Sequence, residues 1–403
     1  MKLCSLKTHF KSPLHFHIHR ISVVLVLLLI AGGIYAYRRE QIHVKQISLF
    51  SDEAQTLKGE VEKLKTIEAS LSDELSTLKN EDLRKTNTDL KEKIAQVETV
   101  FRLASKTIEN LSDARNQGIN VAILEGDLAK AVNVLSQLKY DEANTQLSVI
   151  NKKVDDLVAA KVAQIAKQAT PAQDPPAAGS YRRQSVTTSR GAFTISLIAE
   201  QAGSVKMITD SANDDTCTNN CAVLPLAAYV ARNGGFAGIN GSYFCPPDYP
   251  SCSDKVNSFN TLVFNARLKK YMNSDQNVYS TNPMVIQNAD RSMRFLGQAL
   301  EWGRDTGIIG GLSNYPMLVS GGQVRVTDIG SKGPRGFIGV KGGTLYIGVV
   351  HGADLGDAAA VLATLGLETA MNLDGGGSST LYYNDKYVVG PGRNLPNAII
   401  LSR

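Results

Sequence analysis

No proline occurs between Pro13 and Pro171, and no cysteine between Cys4 and Cys217. The first absence removes the main helix breaker from some 150 residues and leaves room there for long, uninterrupted helices. The second confines any disulfide framework to the C-terminal half. Positive charge is also missing from most of the chain. Residues 1–45 hold Lys2, Lys7, Lys11, Arg20, Arg38, Arg39 and Lys45 against Glu40, a net of +6, whereas the whole chain is +5. Everything after residue 45 therefore nets −1, and no basic face marks a nucleic-acid partner.

The 403 residues suggest two or three domains. Residues 1–20 form a basic tail, and the uncharged run 21–37 is the length of a short transmembrane anchor, with Tyr35, Tyr37, Arg38 and Arg39 as interface residues. A cleaved signal peptide is the competing reading. The expected placement is a single-pass cell-membrane protein with a cytoplasmic N-terminus and an extracytoplasmic C-terminal domain. Four cysteines, Cys217, Cys221, Cys245 and Cys252, support that placement as two disulfides formed in an oxidising compartment. A four-thiolate metal site is the alternative, which the spacings fit poorly. Pairing each cysteine with its sequence neighbour is the simplest of the three connectivities.

Residues 41–168 read as a coiled coil and helical bundle. Leu57, Val61, Leu64, Leu71, Leu75 and Leu78 form one seam, the phase slips near Asn80, and Leu83, Leu90, Ile94, Val97, Phe101 and Ile108 resume it. Two further helices follow Gly118, one through Leu124, Leu128, Val132 and Leu135, the other through Leu147, Ile150, Val154 and Leu157. The expected role is spacing or self-association, with a stalk of about 100 Å were 46–115 one straight helix. Residues 169–190 are rich in proline, alanine and serine and read as a linker. From 191 to 403 glycine becomes frequent and short β-rich runs alternate with turns, which predicts one α+β catalytic-type domain.

The chemistry concentrates in the run Asn372-Leu373-Asp374-Gly375-Gly376-Gly377-Ser378-Ser379-Thr380-Leu381. Three glycines in succession suit a sharp turn or a close backbone approach to a ligand, and exposed N–H groups in such a turn can hold an anion. Asp374 would stand at the rim. Other candidate stretches are Asn240-Gly241, Pro334-Arg335-Gly336, and Arg393 with Asn397 beyond the motif. Arg335 and Arg393 adjoin glycine-rich elements, and a guanidinium matches phosphate geometry. Each also has a bland reading, as surface arginines or a turn dipeptide. His351 ends an apolar strand near Asp354; both are weak acid/base candidates, and His351 is equally a packed strand-end residue. Ser378 as a nucleophile has little support, because the G-x-S-x-G spacing is incomplete.

The Asn372–Leu381 run resembles the signature of the phosphodiester glycosidase family. The stretch Ile239-Asn240-Gly241-Ser242-Tyr243-Phe244 is similar to that family's Ile-Asn-Gly-Gly-Phe-Phe element, with Ser242 and Tyr243 substituted. Pro334-Arg335 matches its Pro-Arg-Thr element in part, with Gly336 in place of threonine, and 354–365 resembles the helix before the signature. The likeness covers 193–403 and implies hydrolysis of a sugar-1-phosphodiester. Cleavage at the anomeric carbon needs a carboxylate and charge neutralisation at the phosphate. The resemblance gives Asp374 to catalysis; Asp354 and His351 are added as candidates by residue type alone. It gives Asn240, Gly241, Arg335, Asn372, Gly375, Gly376, Gly377, Ser378 and Arg393 to substrate or phosphate binding. No cofactor is called for; Asp374, Asp354 and His351 include metal-ligand types, though nothing in their spacing demands a metal. The expected partners are a glycan or sugar-phosphate substrate and the membrane through 21–37, with self-association through the coiled coil. A non-catalytic glycan-binding module in the cell envelope is the alternative.

Overall fold

The computed structural model describes residues 53–73, 81–277, 279–302, 307–327 and 330–403. All of them fall within one compact unit, Ser51–Arg403. Its N-terminal part holds four long helices: α1 over residues 53–73, α2 Glu81–Asn116, α3 Ala122–Ser136 and α4 Tyr140–Ala166. Lys65 of α1 pairs with Glu98 of α2, and Glu68 with Lys91, so the two helices run antiparallel. The phase slip near Asn80 thus falls between two helices packed side by side, and the predicted straight coiled-coil stalk is not what forms. A seam spaced by threes and fours only asks for an apolar partner, and here α1 lies back on its own successor. The α2 helix, 36 residues and about 54 Å long, then packs with α3 and α4. Ile108, Leu111, Leu128, Leu135, Leu147 and Ile150 are fully buried between them. Asn151 joins α4 to α2 by donating to Thr107 Oγ1 at 2.7 Å and accepting from Asn110 at 2.8 Å.

Among the described residues no helix is long and apolar enough to cross a membrane. Each long helix carries charged residues on its outer face, as α2 does with Glu98, Arg102 and Lys106. This corrects the expected transmembrane helix and, with it, the single-pass membrane placement. The stretch 21–37, on which both rested, lies outside the described residues.

The C-terminal part is built from three sheets. The largest has eight strands, with Gly191–Gln201, Thr344–Ala353, Gly333–Lys341 and Thr369–Gly375 adjacent at its centre and antiparallel. Alternation sorts its side chains onto two faces. Ile195, Leu197, Phe337 and Val350 pack under the helix Leu355–Thr364, which we call α6, α5 being Leu226–Arg232. Ile198, Ile338, Ile347, Val349, Met371 and Leu373 face the two five-stranded sheets across a second core. The stretch expected as a linker is partly structural, because Ser180–Thr188 pairs along its whole length with Gly191–Gln201. Disulfides join Cys217 to Cys221 and Cys245 to Cys252, the simplest of the three pairings.

Candidate active site

The Thr369–Gly375 strand carries Asp374 to the edge of a turn. Arg335 stands opposite Gly375 in the register of the neighbouring strand, so pairing alone sets a guanidinium beside the glycine run. A Cβ on Gly375 would lie 3.2 Å from Arg335 Nη1. Gly376 adopts φ 59°, left-handed backbone that favours glycine, and opens a short 3-10 turn, Gly376–Ser378. Main-chain contacts clamp the carboxylate-bearing residue. Asp374 N–H donates to Gly241 O at 3.0 Å, and Asn240 Nδ2 donates to Asp374 O at 2.8 Å. Asn240 Oδ1 also accepts from Thr380 N–H at 3.1 Å, bridging the two sides of the turn.

Asp374, Arg335, Gly375, Gly376, Ser378 and Arg393 come together on one cavity of about 280 Å³, with Tyr243 and Tyr249 also on its wall. Burial pushes the Asp374 carboxyl up to about 7. Its bonds to Ser378 and to Gly375 N–H, together with Arg393, oppose the rise, and Asp113 adds to it. Tyr243 is raised to about 12, first by burial and then by Asp374, with Arg335 acting against both. Its hydroxyl accepts from Asn372 Nδ2 at 2.6 Å.

Several expected residues take other places. Asn240 is fully buried and Asn372 nearly so; both serve the turn and its neighbours rather than the cavity. Gly241 is where the chain passes Asn397, whose Oδ1 a Cβ would meet. Asp354 caps α6, accepting from Asp357 N–H at 2.7 Å, and lies near Arg190. His351 is buried against Ser196 Oγ, 3.0 Å from its Nε2, and burial with Arg183 nearby lowers its pKa to about 3. Neither Asp354 nor His351 lines the Asp374 cavity. Nor are Asp374, Asp354 and His351 gathered as a ligand set; among the described residues no three His, Cys, Asp or Glu side chains are. Ser378 Oγ accepts from Arg393 Nη1 at 3.4 Å and bonds Asp374, and among the described residues no histidine lines its cavity. The missing threonine at Gly336 also has a local account: a Cβ there would stand 2.8 Å from Asp374 O.

The residue that sequence reasoning missed is Asp113, on α2. Its carboxylate accepts from Tyr249 O–H at 2.7 Å and Arg393 Nη2 at 3.0 Å. It also rests on the glycine run, since a Cβ on Gly376 would fall 2.3 Å from Asp113 Oδ2. Asp248 approaches Arg393 at 3.8 Å, and Ser112 donates to Asp248 at 2.6 Å. Burial alone would lower the Arg393 pKa, but Asp113, Tyr249 and Asp248 outweigh it and raise it. The helical region is thus a wall of the cavity, with Lys106, Asn110 and Asp113 from α2 and Asp155 from α4.

Residues 228–402 match the family model described as NAGPA, phosphodiester glycosidase, which puts that family's domain in the C-terminal half of the chain. No curated protein matches. Fourteen chains of solved structures are similar, among them three of the following descriptions. One is a hypothetical protein from Synechocystis, at 14% identity and TM-score 0.38, over 55% of this chain and 61% of that one. Another is the zebrafish N-acetylglucosamine-1-phosphodiester alpha-N-acetylglucosaminidase catalytic domain auto-inhibited by its pro-peptide, at 15% identity and TM-score 0.44, over 58% of this chain and 86% of that one. The third is a putative exported protein from Burkholderia pseudomallei, at 13% identity and TM-score 0.34, over 53% and 74%. The chain therefore spans about three fifths of the Synechocystis structure. At these scores the three bear on neither substrate nor mechanism.

Proposed function

We propose that the chain hydrolyses a sugar-1-phosphodiester, of the kind found in envelope or exopolysaccharide glycans, and that Asp374 is its essential carboxylate. The observation that carries this is one cavity, floored by the matched domain and walled by the helices, whose lining holds a buried carboxyl, Asp374, and two guanidinium groups, Arg335 and Arg393. Among the described residues Arg335 has no carboxylate partner. It donates instead to the carbonyls of Ala353 and Ser331, which leaves its charge available to a phosphate. Ionised Asp374 takes a proton from the attacking water as the water oxygen bonds to the anomeric carbon. The bond from that carbon to the phosphate oxygen breaks, and the phosphate leaves as an anion against Arg335. A phosphate oxygen is acidic enough to leave without a strong proton donor, so a single carboxylate serves. A base with a pKa of about 7 suits neutral conditions. The two disulfides fit folding in an oxidising compartment.

The test is sugar release by the full chain from an N-acetylglucosamine-1-phosphate methyl diester across pH. The expected kcat/KM rises with pH through a value near 7. No release at any pH, with glycan binding intact, would move the reading to a binding module.

A further inference from the structure

A second cavity, of about 230 Å³, abuts the first, and among the described residues no acidic one lines it. Lys161 of α4 and Arg183 of the Ser180–Thr188 strand both line it, with His351, Gln117 and Gln164 between them. Arg183 spends its donors on neutral acceptors: Ser196 Oγ at 3.2 Å, Gln168 Oε1 at 2.7 Å and Val388 O at 2.8 Å. Among the described residues neither Lys161 nor Arg183 is paired with a carboxylate. Two half-buried cations facing one acid-free cavity are an unbalanced charge, and such groups are normally paired.

The two cavities share Gln117, and Pro334 and Ser379 of the second directly adjoin Arg335 and Ser378 of the first. Arg183 also lines a shallower hollow beyond, together with Arg182 and Lys386. Positive side chains thus follow one another from Arg335 outward, past Lys161 and Arg183, to Lys386. We infer that the Lys161–Arg183 cavity is an anion subsite, and that the substrate is a chain bearing a second phosphate or carboxylate group, which that subsite holds. Assigning the anion to the substrate rests on the glycosidase reading; the cavity's affinity for an anion does not.

The experiment uses the full chain and two arms. In the first, inorganic phosphate is titrated calorimetrically at low salt. Arg335→Ala should still bind it, and adding Lys161→Ala should weaken that binding about tenfold, the scale of one charge-assisted contact. Lys161 makes no hydrogen bond among the described residues, so its removal leaves the fold intact; Arg183→Gln should add to the loss. Binding abolished by Arg335→Ala alone, or untouched by Lys161→Ala, overturns the subsite. In the second arm, Lys161→Ala should raise KM for a sugar-1-phosphodiester carrying a second phosphate about tenfold, with kcat unchanged, and leave KM for the methyl diester alone. Equal effects on both substrates would remove the assignment to a second substrate anion. Lys161-dependent phosphate binding with neither substrate hydrolysed would keep the anion site and overturn its assignment to substrate, the reaction having failed rather than the cavity.

Discussion

The two sides of the Asp374 cavity are held by different means. On the sheet side, Asp374 is fixed through its main chain, by Gly241 O and Asn240 Nδ2, at an irregularity between the ladder pairs Arg335–Gly375 and Phe337–Asn372. On the helical side, Asp113 reaches the glycine run through side-chain bonds alone, to Tyr249 and Arg393. A main-chain clamp survives most substitutions around it, whereas a side-chain contact is lost with one residue. The floor of the site is therefore part of the fold, and the wall is attached to it.

The largest effect that would break this contrast is on the floor. Asp374→Asn should lower kcat by about a thousandfold or more while the chain stays folded, measured by sugar release beside circular dichroism. Its stability should change in the opposite sense. Because the folded-state pKa of Asp374 is raised to about 7 from 3.8, the native chain binds more protons than the unfolded one between those values. Stability from this residue is therefore full at low pH and lost as pH rises from about 4 to 7. The loss is on the order of 4 kcal/mol, and denaturant melts of the Asn variant should not show it.

Asn240→Ala removes both bonds across the turn and should cost about 2 kcal/mol in the same melts, with activity falling in step. A smaller effect belongs to the wall. Asp113→Asn should loosen the helices from the glycine run by about 1 kcal/mol, read as faster proteolysis near 116–121, because Asp113 is a quarter exposed and partly screened. It should also tighten phosphate binding a fewfold at Arg393, which then has less carboxylate to satisfy it. Looser phosphate binding would mean that Asp113 positions Arg393 rather than competing for it.

What the sequence made legible follows the same division. The Asp374 run, the disulfide pairing and the strand-rich C-terminal half all depend on residues close in the chain, where turn chemistry and alternation speak locally. The helices were legible from their apolar spacing, but a seam does not name its partner, and α1 lying back on α2 contributes no signal of its own. Asp113 was invisible for a stronger reason: it sits in an ordinary amphipathic helix, 280 residues from Arg393. For His351 and Asp354, nearness to each other in sequence does not say which cavity or element their side chains serve. His351 faces Ser196 in the adjoining strand, and Asp354 is occupied by the helix it begins.

That separation of 280 residues also orders events in time. As the chain is synthesised, α2 is complete long before Arg393 exists, and loops that long close late and slowly. The bond from Arg393 to the Asp113 carboxylate cannot form until the chain has reached Arg393. Only a chain extended past Arg393 has the full lining of the Asp374 cavity. An unfinished chain lacks the guanidinium that joins Asp113 to the glycine run.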